Sequence, residues 1–372
     1  VTKLITTSAE LDRLCRDIEQ SSWVALDTEF ERVRTFFPRL CLIQIATQDQ
    51  VACIDPLAKM DLVGLVQVLS STGPMKILHA ARQDIEVLHH GLGILPKPLF
   101  DTQIAAALCG HGEQVSYAQL VKSLCGVSLS KQYTRAEWSR RPLSEGEIRY
   151  AIDDVRYLGE LYRQLHQELG QRGRLDWAEE DFQELASGRS IESGATIAVR
   201  KVQAASRRFD RTGQSVAHVL ARWREEMARR DDRPREWVLP LEAILQIAQE
   251  RPASHHHICL LSGLSEGSAR RWSQEILAAV QRGQREADNY VPLPPPRRPD
   301  AQEKALGNRL WQCLQVLCEQ GDLPTASVAR RDDIRQLAIG DRNLPLLRGW
   351  RERFAGAELL ALAEAETISR NC

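Results

Sequence analysis

Residues 23–30, Trp-Val-Ala-Leu-Asp-Thr-Glu-Phe, start apolar and then alternate acids with other side chains, the pattern of a β-strand. Side chains two apart on a strand leave the same face, so Asp27 and Glu29 project together. Two like charges beside an apolar core are costly unless a cation or an open cleft solvates them. The pair is therefore a candidate for joint metal coordination. Acids also occur at strand ends without any function, so more distant residues have to decide.

The neighbouring sequence supplies a sheet for this strand. Residues 40–47 and 51–55 read as a second and third strand, and residues 47–50 as the hairpin turn between them. Leu62 to Leu69 has helical spacing, Lys76 to Ala80 reads as a short buried strand, and Gln83 to His90 as a helix. This order predicts a mixed sheet covered by helices. From Asp101 onward the pattern is mainly helical, at 103–109 and 117–125. Ser144-Glu-Gly-Glu147 is a capping box, and it opens a helix whose apolar face (Ile148, Ile152, Val155, Leu158, Leu161, Leu165) is expected to run to Gly170 or Gly173.

Tyr150 and Asp154 lie one turn apart on that helix and share a face. Asp84, after His79-Ala-Ala-Arg-Gln, provides a fourth carboxylate. Hard cations prefer carboxylate and water oxygen to sulfur, so the set points to magnesium or manganese rather than zinc.

Composition limits the alternatives. With 372 residues, 43% hydrophobic and 27% charged, the chain has room for two or three domains and matches neither a disordered tail nor a membrane protein. No apolar run reaches the roughly twenty residues that cross a bilayer. Residues 1–8 contain no extended apolar segment ahead of a cleavage site, which makes a cytoplasmic location the expectation. Cys15, Cys41, Cys53, Cys109 and Cys125 sit singly in apolar segments, as core residues of a reducing compartment do. No CxxC pair offers a zinc site, and the run His255–His257 reads as a loop or helix end.

The net charge of −1 alone suggests no polyanion partner, but the arginines cluster at 207–211, 222–235 and 330–335. Guanidinium forks suit phosphate contacts, and a solvated helix face is the plainer reading of the same residues. A boundary is expected in the weakly periodic stretch 187–196. Beyond it, helical patterns occur at 214–229, 240–249 and 268–280. Val291-Pro-Leu-Pro-Pro-Pro-Arg-Arg-Pro299 is expected to be a stiff linker before a third unit from about Lys304 to Ala365.

In order, Leu26-Asp-Thr-Glu-Phe30, His79-Ala-Ala-Arg-Gln-Asp84 and Tyr150-Ala-Ile-Asp-Asp154 resemble the three motifs of ribonuclease D, in the tyrosine-containing subgroup of DEDD-type 3′-5′ exonucleases. Arg32, Arg34, Phe37 to Gln44, Asp101-Thr-Gln103 and Arg141-Pro-Leu143 extend the resemblance. Glu137-Trp138 departs from the family's usual Asp-Trp pair, lengthening a side chain while keeping its charge. The stretches Leu220 to Val238 and Ser327 to Leu347 resemble helicase-and-ribonuclease-D C-terminal (HRDC) domains.

The resemblance implies an α/β ribonuclease H-like exonuclease domain with a mixed sheet at 1–190, followed by two small all-helical domains at 205–285 and 300–370. It implies two divalent ions, Mg2+ or Mn2+, with Asp27 bridging them, Glu29 and Asp154 on one, Asp84 supporting the other through water, and Tyr150 orienting the attacking water. Phe30, Arg32, Arg34, Phe37, Gln44 and His79 form the candidate substrate-contacting set. Within it, Gln44 also reads as a strand support and His79 as a residue that fixes the segment before Asp84. The implied partner is RNA with a free 3′ end, transfer RNA precursors in particular, acted on by a monomer with no obligate protein partner. Two other readings stand beside it: a DNA-trimming nuclease of the same fold, and a noncatalytic nucleic-acid-binding scaffold.

Overall fold

The computed structural model describes residues 4–130, 132–133, 136–261, 264–295 and 297–371. Lys3 and its two predecessors, and Pro296 of the proline-rich run, lie outside the described residues. The chain divides into two compact units. The first contains the residues up to Phe30, Leu40–Gly188, and the stretch from Arg298 onward; the second contains Glu31–Arg39 and Arg189–Arg297.

A six-stranded sheet organises the first unit. Its strands are β1 (Leu4–Ile5), β2 (Trp23–Glu31), β3 (Arg39–Ala46), β4 (Val51–Ile54), β5 (Met75–Leu78) and β6 (Leu99–Asp101), in the order β1-β4-β3-β2-β5-β6. β3 and β4 are antiparallel, as the hairpin at 47–50 predicts, with Ala46 opposite Val51 and Thr47 N–H donating to Gln50 O at 2.9 Å. β1 with β4, β2 with β5, and β5 with β6 are parallel, so the sheet is mixed. Its two middle strands supply much of its buried surface: Val24, Ala25 and Leu26 of β2 and every residue of β3 after Arg39 are buried.

Helices α1 (Ser8–Gln20), α2 (Val63–Ser70), α3 (Arg82–Leu92), α4 (Thr102–Leu108), α5 (Tyr117–Cys125), α6 (Glu145–Arg156), α7 (Leu158–Gln171) and α8 (Leu175–Ala186) accompany the sheet. The capping box at Ser144 and Glu147 starts α6 as expected, with both reciprocal bonds present. The single helix expected from there to Gly170 is instead two, broken at Tyr157. The break is tertiary in origin, because the Tyr157 N–H donates to the Tyr117 hydroxyl at 3.1 Å and that hydroxyl donates to Asp153 O at 3.0 Å. Just past it, Gly159 lies so near the Trp23 ring at the start of β2 that an added Cβ would come within 2.3 Å of it. The strand expected at 76–80 stops at Leu78. The Asp101 carboxylate accepts from Ala80 and Ala81 N–H at 3.2 and 2.8 Å and bends the chain there, leaving Ala80 at φ 57°.

The second unit is helical: α9 (Arg189–Ala205), α10 (Arg211–Arg230), α11 (Arg235–Val238), α12 (Leu241–Glu250), α13 (His255–Cys259) and α14 (Glu266–Arg285). The stretch expected to be an irregular boundary at 187–196 is thus largely helix. The division between units falls within that stretch, at Gly188, whose φ is 73°. The core of this unit is Val216, Leu220, Trp223, Ile244, Ile247, Trp272 and Ile276, and Phe36 from the segment after β2 is buried in the same cluster.

The chain's last stretch returns to the first unit as α15 (Ala301–Gln320), α16 (Thr325–Val328), α17 (Arg331–Ala338), α18 (Gly349–Arg351) and α19 (Ala357–Asn371), with a π turn at Glu352–Gly356. Leu306, Leu310, Leu314, Leu337 and Trp350 belong to one apolar cluster with Ile77, Phe100, Leu161 and Leu165 of the sheet half. Fully buried Trp350 stacks on Trp177 of α8, centroids 4.8 Å apart and planes within 7°. Its backbone N–H donates to Glu180 at 2.7 Å, and the Arg351 guanidinium grips Asp181 at 2.6 and 3.0 Å. Among the described residues no helix is long and apolar enough to cross a membrane.

Candidate active site

β2 carries Asp27 and Glu29 on one face, and α6 brings Asp154 to them. One carboxylate oxygen from each of the three lies within 4.8 Å of the others. The approach of α6 follows from its apolar side, since Ala151 and Ile152 pack on Cys41, Leu42 and Cys53 of β3 and β4 with Trp138 and Leu143. The Arg141 side chain fixes the segment before α6: it bonds Asp55 in bidentate fashion at 2.6 and 2.7 Å and donates to Cys41 O and Trp138 O at 2.7 Å each. Tyr150, one turn before Asp154, hydrogen-bonds the Asp154 carboxylate, and its ring sits 6.2 Å from that of Trp138.

Asp84, near the start of α3, is buried and turned to β2. Its Oδ1 accepts from Thr28 N–H at 3.1 Å and from the Thr28 hydroxyl at 2.6 Å. It therefore stands next to the three-acid cluster rather than in it, although its charge acts on Asp27 and Glu29. Asp101 sets this arrangement. Besides holding Ala80 and Ala81, it caps α4 by accepting from Gln103 and Ile104 N–H at 2.8 and 3.2 Å, which ties the entries of α3 and α4 together.

The electrostatics are those of a site built for cations. Burial, and then the charges of Asp84, Asp154 and Glu29, push Asp27 well above the usual carboxylate range. Burial followed by Asp154 and Asp84 raises Glu29 to about 8. Asp154 is raised to about 7 by burial and Asp153, against the hydrogen bond from Tyr150. Asp84 is raised to about 6 by burial, opposed by the bonds from Thr28. Close-set carboxylates that resist ionising alone, with oxygen as the sole donor element, fit a hard divalent cation. The cluster can hold a divalent metal.

The substrate-contacting set divides in the structure. Phe30 is half-buried at the end of β2, Arg32 and Arg34 are exposed, and Phe37 is half-buried. Gln44 is fully buried in β3, its amide finds no partner among the described residues, and it offers no surface to a substrate. His79 is bound at both ring nitrogens, to the Thr102 hydroxyl at 2.9 Å and Val115 O at 3.1 Å, so it braces the turn before α3. The two differ in cause: Gln44 is removed from a substrate by burial alone, whereas the His79 ring is taken up by its own surroundings. The Thr28, Asp55 and Tyr117 contacts escape sequence reasoning because each joins residues tens of positions apart; Asp101 and Arg141 stand in motifs noted for resemblance, but their bonds are visible only in the fold.

Residues 2–170 match the family described as 3′-5′ exonuclease, and residues 214–280 match the HRDC domain. The chain is 36% identical to ribonuclease D of Gluconacetobacter diazotrophicus over 98% of its own length and 93% of that protein's. The chain belongs to the ribonuclease D family. A second member, from Nitrobacter hamburgensis, is 34% identical over 98% of this chain and 95% of its own. The crystal structure of Escherichia coli RNase D, described as an exoribonuclease involved in structured RNA processing, superposes with a TM-score of 0.86 at 30% identity, covering 98% of this chain and 99% of that one. The fold is thus the ribonuclease H-like exonuclease sheet followed by helical regions, and the activity that of a 3′-5′ exoribonuclease.

Proposed function

We propose that this ribonuclease D family member removes nucleoside 5′-monophosphates one at a time from RNA bearing a free 3′ hydroxyl, with transfer RNA precursors as a substrate class. The observation that carries the reading is the convergence of Asp27, Glu29 and Asp154, with Tyr150 bonded to the last of them. Asp27, Glu29 and Asp154 would hold magnesium or manganese, and Asp84 would support a second ion through water. Bound there, such ions supply a nucleophilic water at neutral pH and neutralise charge on the scissile phosphate.

The protein's own groups then have distinct tasks. The Tyr150 proton is committed to Asp154, which leaves the phenol oxygen's lone pairs to accept from the attacking water and aim it. Orientation rather than deprotonation suits a phenol whose ordinary pKa is near 10. Phe30 and Phe37 offer faces for terminal bases, and Arg32 and Arg34 offer guanidinium forks for the phosphates behind them. Attack breaks the bond from phosphorus to the 3′ oxygen of the penultimate nucleotide, which takes up a proton as the new 3′ hydroxyl.

We assign residues 1–190 to the exonuclease domain, 205–285 to a first HRDC domain and 300–370 to an HRDC-like one, within a cytoplasmic monomer. The resemblance of both trailing stretches to HRDC domains and the arginine clusters along them support a role in holding the body of a structured RNA. The test is a product-resolved assay on end-labelled structured RNA with a free or blocked 3′ end, with and without Mg2+ and beside a matched DNA strand. Mononucleotide release that needs both the metal and the free RNA end supports the reading. Equal DNA trimming favours the DNA-nuclease alternative, and absence of cleavage and of metal binding favours the scaffold.

A further inference from the structure

Glu31–Arg39 runs from the last residue of β2 to the first of β3, starting two residues beyond Glu29, yet it packs with the helical second unit. Three contacts hold it there. The Asp232 carboxylate, just past α10, accepts from both Phe36 and Phe37 N–H at 3.0 Å each. The Phe36 ring is 7% exposed within that unit's core. Arg235 and Arg229 lie over the same ring at 4.6 and 5.7 Å, a doubly cationic cover. Arg32 closes the loop on itself by donating to Phe36 O at 3.3 Å. What stays in solvent is the tip, Arg32, Val33 and Arg34, with Val33 74% exposed.

We propose that the first helical module takes part in the exonuclease reaction through this clasp, with Asp232 and Phe36 as positioning residues that hold Arg32 and Arg34 ready for the phosphates of the 3′-terminal nucleotides. A clasped tip carries its two arginines on a backbone already ordered, whereas a loose one would order that backbone at the expense of binding. The clasp makes the module matter even for an RNA too short to have a structured body, which a module that only grips distant RNA would not. The inference rests on the exoribonuclease reading, and wild-type trimming of the same short RNA separates failure of one from failure of the other.

The test uses the full-length protein and a short single-stranded RNA. Asp232 has φ 46°, so Asp232→Gly removes the acceptor without straining the backbone, and Asp232→Asn keeps an acceptor in a residue that tolerates that conformation. Asp232→Gly is expected to lower kcat/KM roughly ten- to a hundredfold, mostly through KM, and to speed amide exchange at Phe36 and Phe37. Asp232→Asn should restore much of both. In a background of Arg32→Ala and Arg34→Ala, adding Asp232→Gly should change KM no further, because the residues it acts through are gone. Phe36→Leu, which keeps an apolar filler but removes the ring under the two arginines, should shift KM the same way and guards against a folding artefact. Faster exchange at Phe36 and Phe37 with an unchanged KM would overturn the proposal, as would a full additional loss in the arginine-free background.

Discussion

Two aromatic side chains bind distant stretches of this chain together, and they point in opposite senses. Trp350 comes from the C-terminal helices and enters the core of the catalytic unit, stacked on Trp177 and continuous with the cluster behind the sheet. Phe36 comes from the sequence of the catalytic domain and enters the core of the helical second unit. In the first case the trailing helices help build the catalytic fold; in the second the helical module holds a loop that the catalytic sequence lends it. The contrast separates two kinds of dependence: loss of the Trp350 contact should appear as lost stability, and loss of the Phe36 contact as lost substrate binding.

The largest effect should come from Trp350→Ala, which empties a fully buried site and removes the indole N–H that Asp181 accepts, at about 3–5 kcal/mol. Chemical denaturation should show the midpoint falling while kcat per folded molecule stays near wild type. A kinetic defect without loss of stability would collapse the distinction. Asp154→Asn is the opposite extreme. Losing a cation ligand should lower metal-dependent trimming by about 100- to 1000-fold, several kcal/mol of transition-state stabilisation, with the fold intact by circular dichroism. Retained cleavage at equal enzyme concentration would remove Asp154 from the site.

Asp181→Ala tests the Trp350 side more gently. It leaves Arg351 without its bidentate partner, but both groups are partly solvated, so about 1–2 kcal/mol is expected. The smallest effect is a drift with pH in the metal-free protein. Glu29, Asp154 and Asp84, at about 8, 7 and 6, keep protons that the unfolded chain has lost above about pH 4. Their contribution to stability is whole below pH 4 and is lost as pH rises through 6 to 8. The melting temperature should therefore sag by a few degrees toward pH 8 and recover on adding Mg2+. A rise in melting temperature over that range, or indifference to the ion, would mean that the acids do not crowd one another as the geometry implies.

The sheet's two longest strands and the start of α6 were legible because local chemistry specified them: alternation in β2, an apolar run interrupted only by Gln44 in β3, and the capping pair Ser144 and Glu147. Asp27, Glu29 and Asp154 were legible as strand and helix positions once three motifs stood in order, and the structure brings them together. β6 escaped because three residues, Leu99–Asp101, carry no period. The end of α6 escaped because Tyr117, 40 positions away, takes the Tyr157 N–H that a continuous helix would have used. Gln44 and Asp84 show the limit at the site itself. Both stand in recognisable motifs, yet one is sealed in the sheet and the other is turned to Thr28, and only packing decides which way a polar side chain faces.

Gly159 gives the molecule a hidden fragility. The Trp23 indole occupies the space where any larger residue would place its first carbon, at the foot of the strand that reaches Asp27 four positions later. A methyl group there would drive a wedge under the acidic cluster without touching it. A survey scoring variants only by lost cleavage would rank residue 159 beside Asp27, and a melting curve would tell the displaced scaffold from the missing ligand.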